Sequence, residues 1–347
     1  MKNLTYAKSG VDLDKVSRIH KELIRQFKST FKLRQGKFGT PLIDIGHYAG
    51  IIDIGDRALT AHSDNVGTKV LIAQMTEKYD TIGIDCVAMN VNDLICMGSE
   101  PIAFVDYLAL EKPDIKIVKD IVKGLAIGAN EACTPIIGGE TAIMPDVIKG
   151  INGRGFDLVG LAIGIVEKEK VITGRELEVG DIVIGIESTG VHSNGISLAR
   201  KALLPKYEVD KFIPELEKSI GEELLIPTRI YVRPVLEALE RCEVHGLAHI
   251  TGGAFSKLAR LLVKPKRGFL LDNLPEPLPI FQFIQREGSI SKREMYRTFN
   301  MGIGFCICAP RAEEDRIIKI FMKYGFGVKT IGKIVGKPGV IVKGVNL

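Results

Sequence analysis

The sequence has no tryptophan, no C-x-x-C pair and no long apolar run. No stretch approaches the roughly 18 uncharged apolar residues of a membrane-spanning helix, and the beginning, MKNLTYAKSG, has no apolar signal region. We therefore expect a cytoplasmic protein without a membrane partner. The six cysteines lack the spacing of a zinc site or a disulfide framework, so we expect most of them to be small core residues. The lack of tryptophan, with glutamine scarce beside lysine, glutamate and isoleucine, favours a heat-adapted source.

The charge of the chain disfavours one class of partner. Its 47 Lys and Arg residues exceed its 42 Asp and Glu residues, which gives a net charge of +5. Basic clusters such as residues 263–268 are not interleaved with aromatic residues. The pattern therefore disfavours nucleic acid and favours a solvated surface with some affinity for small anions.

The length of 347 residues favours two domains. A charged segment, residues 167–181, separates two differently patterned halves, and we predict one domain over 1–167 and another over 168–347. The first half combines a hairpin around Gly55-Asp56 with two long helices, and the second half repeats strand, glycine loop and helix twice. Both halves are predicted to be α+β or α/β. The glycine-rich first 50 residues are predicted to be a mobile lid or a segment ordered by a partner.

The segment SDNVGTK (63–69) favours a chemical role. Asp64 is a hard oxygen ligand of the kind that Mg²⁺ takes. Gly67 lets the backbone approach an anion, and Thr68 and Lys69 supply donors to phosphate oxygens. The spacing is not that of a Walker A loop, so a tight turn with a surface lysine is the alternative.

The helix predicted over residues 80–98 is apolar apart from a few polar positions. Asp85 and Asn92 are seven residues apart, so they share a face, with Asp93 beside them. We predict that this face is buried and functional. An exposed polar face is the alternative.

The strand predicted over residues 101–110 contains one carboxylate. Period-two alternation places Asp106 on the inward face with Ile102 and Phe104. A buried carboxylate needs a partner, and Mg²⁺, a helix N-terminus or a salt bridge would each serve.

The segment GGETAIMP (138–145) places Glu140 at a strand end, on a backbone that two glycines leave open to close approach. A nucleotide phosphate with its metal ion accounts for this pattern. Mg²⁺ binds through a few carboxylates together with waters and substrate phosphates. Four carboxylates of the first half therefore predict an enzyme that uses ATP and Mg²⁺: Asp64, Asp93, Asp106 and Glu140.

Glycine loops in the second half predict an anion site. The segment STGVHSNGIS (188–197) joins a strand to a helix and exposes the amides of the helix N-terminus, which favours phosphate or carboxylate. His192 within it is a candidate acid–base residue or a structural histidine. The segments HITGGAF (249–255) and MYRTFNMGIG (295–304) also place glycines and polar residues next to a strand, which again favours an anion site. No nucleophile elbow or Cys–His pair occurs, so the chemistry needs no covalent enzyme intermediate.

Together these segments resemble the phosphoribosylformylglycinamidine cyclo-ligase family, also called aminoimidazole ribonucleotide (AIR) synthetases. The resemblance runs over essentially the whole chain, in order and in spacing. Its segments are SGVD (9–12), DNVGTK (64–69), DTIGIDCVAMNVNDLICMGSEP (80–101), GGETAIMP (138–145), GVHSNG (190–195), PTRIYV (227–232), HITGGAF (249–255) and EMYRTFNMGIG (294–304). One position departs from the family pattern: Asn65 stands where the family has glycine, which places a side chain next to the expected nucleotide.

The resemblance implies a two-domain AIR-synthetase-like fold of the α+β class. In it, N-terminal mixed β-sheet domains pair into a dimeric barrel, and each is followed by a C-terminal α/β domain. It also implies a homodimer that converts formylglycinamidine ribonucleotide (FGAM) and ATP into AIR, ADP and phosphate in purine biosynthesis. In the family mechanism ATP phosphorylates the formyl amide oxygen, a nitrogen of the substrate attacks that carbon, and phosphate leaves. The glycine-rich N-terminal segment would close over ATP.

The resemblance also distributes roles among the candidate residues. The catalytic candidates are Lys69 and His192. The ATP-binding candidates are Asp64, Gly67, Thr68, Lys69, Asn92, Asp93, Gly138, Gly139, Glu140 and Thr141. The substrate-binding candidates are Ser193, Asn194, Gly195, Thr251, Gly252, Gly253, Arg297 and Asn300. The Mg²⁺ candidates are Asp64, Asp93, Asp106 and Glu140.

Two other functions are compatible with the acidic segments, which a wider ATP-using superfamily shares. One is a small-molecule kinase such as thiamine-monophosphate kinase, and the other is a non-catalytic, nucleotide-binding maturation protein. The segments PTRIYV and EMYRTFNMG count against the kinase. A maturation protein has no need for the glycine loops of the second half.

Overall fold

The computed structural model describes residues 4–347, and its first half is built on a five-stranded sheet. The elements of this half are α1 (Leu13–Lys28), β1 (Gly50–Asp53), β2 (Arg57–Asn65), α2 (Lys69–Thr76), α3 (Asp80–Ile95), β3 (Glu100–Leu110), α4 (Ile115–Glu131), β4 (Ile136–Ile143) and β5 (Phe156–Glu167). The strand order is β1-β2-β5-β3-β4; β3 and β4 run parallel, whereas the other neighbours are antiparallel. Helix α3 packs on one face of the sheet, and α4 packs against α3.

The second half is built on a seven-stranded mixed sheet. Its elements are β6 (Ile182–Glu187), α5 (Ile196–Leu203), β7 (Phe212–Ile213), β8 (Lys218–Ser219), α6 (Ile220–Leu224), α7 (Val232–Arg241), β9 (Gly246–His249), β10 (Gly268–Leu271), α8 (Pro279–Gly288), α9 (Lys292–Thr298), β11 (Ile303–Ala309), α10 (Glu314–Lys323), β12 (Val328–Val335), β13 (Gly339–Val342) and β14 (Val345–Asn346). The strand order is β14-β13-β10-β12-β6-β11-β9, while β7 and β8 form a separate ribbon.

Short 3₁₀ helices complete the described elements of the chain. They span Ala7–Ser9, Phe31–Leu33, Ile151–Gly153, Lys168–Lys170, Pro214–Leu216, Ala254–Leu261 and Arg311–Glu313. The one at Ala254–Leu261 follows β9, as α5 follows β6. The predicted repeat of strand, glycine loop and helix in the second half is therefore confirmed.

One detail of the predicted strand pattern is wrong. The pairing register of β3 with β5 shifts between Pro101 and Ala103, which marks a bulge. Because of this shift Ile102 is 41% exposed, whereas Phe104 is completely buried. Asp106 keeps the inward face with Phe104, but Ile102 does not share it.

The two halves share one apolar core. Helix α3 packs against the sheet of the first half and also against α7 and β9 of the second. Most buried apolar residues of both halves form one continuous cluster, which includes Cys86, Cys96, Cys306 and Cys308. Cys133 is exposed, so the expectation of core cysteines holds for most of the six and fails there. Helix α3, which lies between the two sheets, therefore positions the site.

The contacts of His245, just before β9, lead us to predict that the stability of the folded chain depends on pH. Its Nδ1 lies 2.8 Å from Oδ2 of Asp181, and its Nε2 lies 2.9 Å from Oε1 of Glu243. Burial alone would lower the pKa of His245, but the two carboxylates outweigh it and raise that pKa. The imidazolium thus contributes stability in full below its unfolded pKa of about 6.5, and this contribution is lost as pH rises through the folded pKa.

Accordingly, His245→Gln is expected to lower the thermal unfolding midpoint at pH 6 and to lower it much less at pH 9. Thermal unfolding at the two pH values measures this difference. His20→Gln, which changes an exposed histidine of α1, is the control and is expected to have little effect at either pH. An equal deficit of His245→Gln at both pH values would show that the ion pairs are not the cause.

Candidate active site

Helix α3 carries polar side chains into the interior, on the face that the sequence predicts to be shared. Asp85 accepts hydrogen bonds from the backbone N–H and the hydroxyl of Thr228, at 2.7 and 2.6 Å. Asn92 accepts the backbone N–H of Tyr231 at 3.0 Å and donates to the carbonyl of Arg229 at 2.8 Å. This segment of the second half thus docks on α3 through polar bonds. Asn92 binds backbone groups there, and its contact with ATP stays a prediction.

Lys69 lies fully buried between the two halves. Its ammonium lies 2.7 Å from Oδ2 of Asp85 and donates to the carbonyl of Ile226 at 2.6 Å. Burial lowers the pKa of Lys69, and Asp85 opposes that shift. The ammonium of Lys69 is thus engaged inside the protein, and its contact with a phosphoryl group stays a prediction.

Asp93 is the centre of a group that we call the Asp93 cluster, formed by Asp93, His62, His249 and Lys257. Nδ1 of His249 lies 2.8 Å from Oδ1 of Asp93. Nζ of Lys257 and Nε2 of His62 lie 3.5 and 3.6 Å from its Oδ2. Burial alone would raise the pKa of Asp93, but Lys257, His249 and His62 outweigh it and hold that pKa below its ordinary value. Asp93 is therefore an ionised carboxylate whose charge is already compensated.

Three members of this cluster were not among the predicted site residues: His62, His249 and Lys257. His62 lies two residues before Asp64 in β2, so strand alternation would have placed both on one face. No sequence pattern predicts that Lys257 belongs to the cluster, because it reaches Asp93 only through the packing of the two halves. Its ammonium also donates to the hydroxyl of Thr251. Lys257 thus joins the acidic helix to the second glycine loop.

Asp64 and Asp106 flank Gly160 in one row across three neighbouring strands. Opposite residues of neighbouring strands point to the same face, and a Cβ on Gly160 would touch Asn90 of α3. The row therefore faces α3. Burial raises the pKa of both carboxyls, and Asp93 raises that of Asp64 further. Among the described residues, no lysine or arginine offsets the charge of Asp106.

Gly139 continues this row into β4, where it pairs with Asp106. A Cβ on Gly139 would clash with the carboxylate and with the carbonyl oxygen of Asp106. The close approach predicted at this backbone is therefore made by the Asp106 side chain itself. Gly138 and Thr141 of the same edge strand are exposed.

Glu140 points away from the other predicted metal ligands. Because Asp106 pairs with Gly139, Glu140 pairs with Tyr107 and lies on the opposite face of the sheet. That face is open, and Tyr107 is 37% exposed on it. Within one chain the structure does not bring Glu140 together with the other three acids.

The predicted loops of the two halves meet at one place, which we call the loop junction. The hydroxyls of Thr68 and Ser197 lie 2.9 Å apart. A Cβ on Gly252 would come within 2.8 Å of Oδ1 of Asn194, so the two glycine loops are in contact. The candidates that the structure gathers on these loops are Gly67, Thr68, Ser193, Asn194, Gly195, Thr251, Gly252 and Gly253.

His192 lies within the first glycine loop and is 1% exposed. Its Nε2 accepts the backbone N–H of Thr189 at 3.2 Å. Burial lowers the pKa of His192 well below its ordinary value, so the ring is neutral. A neutral, buried ring that bonds to its own loop contributes to the shape of that loop, and a catalytic role for His192 stays a prediction.

Asn300 holds the beginning of the same loop. Its Oδ1 accepts the hydroxyl of Ser188 at 2.8 Å, and its Nδ2 donates to the carbonyl of Gly190 at 2.9 Å. Arg297, one helical turn earlier at the end of α9, is partly buried. Asn300 was expected to bind substrate directly, and the structure shows it bonded to the loop.

Comparison with known proteins decides the family. Residues 46–166 match the model described as AIR synthase related protein, N-terminal domain, and residues 178–345 match the one described as AIR synthase related protein, C-terminal domain. The phosphoribosylformylglycinamidine cyclo-ligase of Thermococcus kodakarensis is 50% identical over 345 residues, which are 99% of each chain. The chain belongs to the phosphoribosylformylglycinamidine cyclo-ligase family. The resemblance inferred from the sequence segments is thereby confirmed.

Solved structures of lower identity share the fold of this cyclo-ligase family member. Thiamine-monophosphate kinase from Stenotrophomonas maltophilia K279a superposes with a TM-score of 0.65 at 19% identity, over 92% of this chain and 96% of that one. AaThiL complexed with AMPPCP and TMP gives a TM-score of 0.65 at 17% identity, over 94% and 93%. At such identities the similarity shows the fold alone. The two-domain AIR-synthetase-like fold expected from the sequence is confirmed.

Two further observations on this cyclo-ligase family member concern membrane-spanning helices and metal-binding groups. Within residues 4–347, no helix is long and apolar enough to cross a membrane. Over the same residues, no three His, Cys, Asp or Glu side chains are grouped so that they could hold a metal ion. The four-carboxylate centre expected from the sequence is therefore not assembled within one chain.

Proposed function

We propose that the chain catalyses the ATP-dependent ring closure of FGAM to AIR, with release of ADP and phosphate, in de novo purine biosynthesis. One observation carries the proposal: the chain is 50% identical to a phosphoribosylformylglycinamidine cyclo-ligase over 99% of both chains. A cytoplasmic location belongs to the same proposal.

The nucleotide is proposed to lie at the loop junction, beside the Asp93 cluster. The AMPPCP complex of a protein with the same fold supports ATP as the nucleotide. Gly67 and Thr68 remain the candidates for contact with its phosphates. The ammonium that neutralises the transferring phosphoryl group is assigned to Lys257, because Asp93 and Thr251 hold it at the junction while Lys69 is buried.

Magnesium fits part of the predicted ligand set. Asp64 and Asp106 lie on one face of the sheet, and burial raises the pKa of both. His62 and Lys257 offset the charge of Asp64 only in part, so a divalent cation would stabilise both carboxylates. Asp64 and Asp106 would hold the ion, which supplies charge neutralisation for the phosphates. The negative charge of Asp93 is already compensated by Lys257 and His249. We assign Asp93 the role of holding these two side chains in place.

The substrate is proposed to lie against the two glycine loops. Ser193 and Asn194 of the first loop, with Thr251 of the second, would bind and orient FGAM. Transfer of the γ-phosphoryl group to its formyl oxygen turns that oxygen into a leaving group. The substrate nitrogen then bonds to the same carbon and gives up a proton, and the C–O bond breaks so that phosphate departs with the oxygen. The loops keep water from the phosphorylated intermediate.

A homodimer is proposed as the working form. The sheet face opposite α3 is open and apolar, with Tyr107 and Leu161 each more than a third exposed. A second copy covering this face would bury these side chains. Glu140 lies on the same face, so in the dimer it would face the partner chain.

Leu161→Glu is therefore expected to convert a dimer into a monomer, because it places a charge in the middle of the open face. Size-exclusion chromatography with light scattering measures the mass. Val122→Glu, on the exposed side of α4, is the matched control and should leave the dimer intact. A monomeric wild type, or a variant that keeps the dimer mass, would exclude this face as the interface.

The function is tested by the appearance of AIR in an absorbance assay with FGAM, ATP and Mg²⁺, each omitted in turn. Product that requires all three is the expected result. Consumption of ATP with FGAM but without AIR would instead indicate a kinase. ATP binding without FGAM-dependent turnover would indicate a non-catalytic member of the superfamily.

A further inference from the structure

Asn90 of α3 makes a two-point contact with the backbone of Asp64. Its Oδ1 accepts the N–H of Asp64 at 2.8 Å, and its Nδ2 donates to the carbonyl of Asp64 at 3.1 Å. Nδ2 also donates to the carbonyl of Cys86, one turn earlier in α3, at 2.9 Å. The Asn90 side chain is completely buried. The backbone of Asp64 is therefore bound to a helix as well as to its own sheet.

The donors and acceptors of this contact require an amide at position 90. Exchange of Oδ1 and Nδ2 would place a donor against the Asp64 N–H and an acceptor against two carbonyls, so the hydrogen bonds fix the orientation of the amide. A carboxylate would lose both bonds that Nδ2 donates, and an aliphatic side chain would lose all three.

Gly160 of β5 leaves the space that this amide occupies. It lies between Asp64 and Asp106 in the row that faces α3. A Cβ on Gly160 would lie 2.5 Å from Nδ2 of Asn90 and 2.5 Å from the Phe104 ring. The amide is thus placed against the middle of the row, between the two carboxylates that are proposed to hold Mg²⁺.

Asp64 lies where β2 leaves the sheet. The strand ends at Asn65, and the chain turns through Gly67, which has φ +69°, before α2 begins. Oδ1 of Asp64 accepts the N–H of Asn65 at 2.8 Å, so the position of the carboxylate follows that of the backbone around it. A metal ligand has to be held within about 0.5 Å of its working position. Fixing the Asp64 backbone on α3 therefore also fixes its carboxylate.

We propose that Asn90 is a positioning residue for Mg²⁺, which acts by holding Asp64 so that the Asp64 carboxylate meets the ion. This inference rests on the proposed function and deepens its metal assignment. Asn90 acts through Asp64 and does not itself bind the ion, because its oxygen is turned to the Asp64 N–H. The effect of losing the amide therefore falls on the affinity that Mg²⁺ adds, and not on nucleotide binding without the metal.

The test compares Asn90→Leu with the wild type. Leucine keeps the branched shape of the side chain but makes none of the three hydrogen bonds. Isothermal titration with AMPPCP, in Mg²⁺ and in EDTA, gives the gain in nucleotide affinity that the metal provides. This gain is expected to fall about ten-fold, as for other residues that orient a metal ligand, whereas the affinity in EDTA stays that of the wild type. Hydrogen exchange of a peptide covering residues 62–67, measured without metal or nucleotide, is expected to become faster, because the Asp64 N–H loses its acceptor.

Two further variants separate positioning from folding. Asn90→Ser can still bond to the Cys86 carbonyl but is too short to reach Asp64, so it should lose the same metal-dependent gain with less loss of stability. If Asn90→Leu does not fold, Asn90→Ser decides the question. Adding Asn90→Ser to Asp64→Asn should remove no further metal-dependent gain, because the amide acts through that carboxylate.

Thr60→Val is the matched control. Thr60 lies four residues before Asp64 in β2, is also completely buried, and has its hydroxyl 2.6 Å from that of Ser99. The control should lower the unfolding midpoint and leave the metal-dependent gain unchanged. A gain in Asn90→Ser equal to that of the wild type would overturn the proposal. So would an equal loss of gain in Thr60→Val, because that result describes a general loss of stability.

Failure of the proposed function would be separate from failure of this inference, since these measurements use no FGAM. A wild type that binds AMPPCP with Mg²⁺ but makes no AIR would refute the function, and the Asn90 variants would still decide the positioning role. A wild type whose affinity for AMPPCP is the same in Mg²⁺ and in EDTA would overturn the inference together with the assignment of Asp64 to the metal.

Discussion

Lys69→Met is expected to lower the free energy of unfolding by about 3–5 kcal/mol, the cost of leaving one member of a buried ion pair without its partner. Lys69 and Asp85 are both completely buried, 2.7 Å apart. In the variant the carboxylate of Asp85 keeps its bonds to Thr228 but loses its compensating charge. Urea unfolding followed by circular dichroism gives the free energy of each variant.

Two variants identify the cause of that loss. Lys206→Met removes an exposed ion pair with Glu287, and it is expected to cost less than about 1 kcal/mol. Adding Asp85→Asn to Lys69→Met removes the unpaired charge while keeping an acceptor for Thr228, so part of the stability should return. If Lys69→Met costs no more than Lys206→Met, the buried pair does not stabilise the junction of the two halves.

Asp64→Asn is expected to weaken the binding of ATP in the presence of Mg²⁺ on the order of 10²-fold. The amide keeps the size of the side chain but removes the charge that would hold the ion. Isothermal titration with ATP, in Mg²⁺ and in EDTA, separates metal-dependent from metal-independent binding. The difference between the two media should be large in the wild type and small in the variant.

The matched control is Asp56→Asn, in the exposed turn between β1 and β2 of the same half. It is expected to bind ATP as the wild type does in both media. Equal affinities of wild type and Asp64→Asn in Mg²⁺ would remove Asp64 from the metal ligands and leave Asp106 to be tested alone.

The local parts of the fold could be predicted from the sequence, because their signals are local. The hairpin around Gly55-Asp56, the shared face of Asp85 and Asn92, and the glycine loops depend on residues close together in sequence. The bulge in β3 has one local marker, Pro101, because proline within a sheet is confined to edge strands, strand starts and bulges, but the marker does not fix the residue at which the register shifts. Ile102 was therefore assigned to the wrong face.

The candidate site was predicted less completely, because its side chains are placed by contacts between distant segments. A lysine after a glycine loop has the same local pattern whether it meets a phosphate or, as Lys69 does, a buried aspartate. Lys257 was missed for the converse reason: its sequence neighbourhood is an ordinary helix, and only packing brings it to Asp93. Burial of His192 also follows from the packing of both halves.

The docking of the second half on α3 has a consequence for synthesis on the ribosome. When the first 167 residues have emerged, Lys69, Asp85 and Asn92 lack the partners that lie at residues 226–231, and Lys69 and Asp85 have only each other. Buried polar groups without partners are costly, so α3 cannot settle between the two sheets at that stage. The first half reaches its final form only after the chain has grown by some sixty residues beyond it. A nascent chain stalled in this interval exposes an apolar helix, and it is the stage at which a chaperone would be needed most.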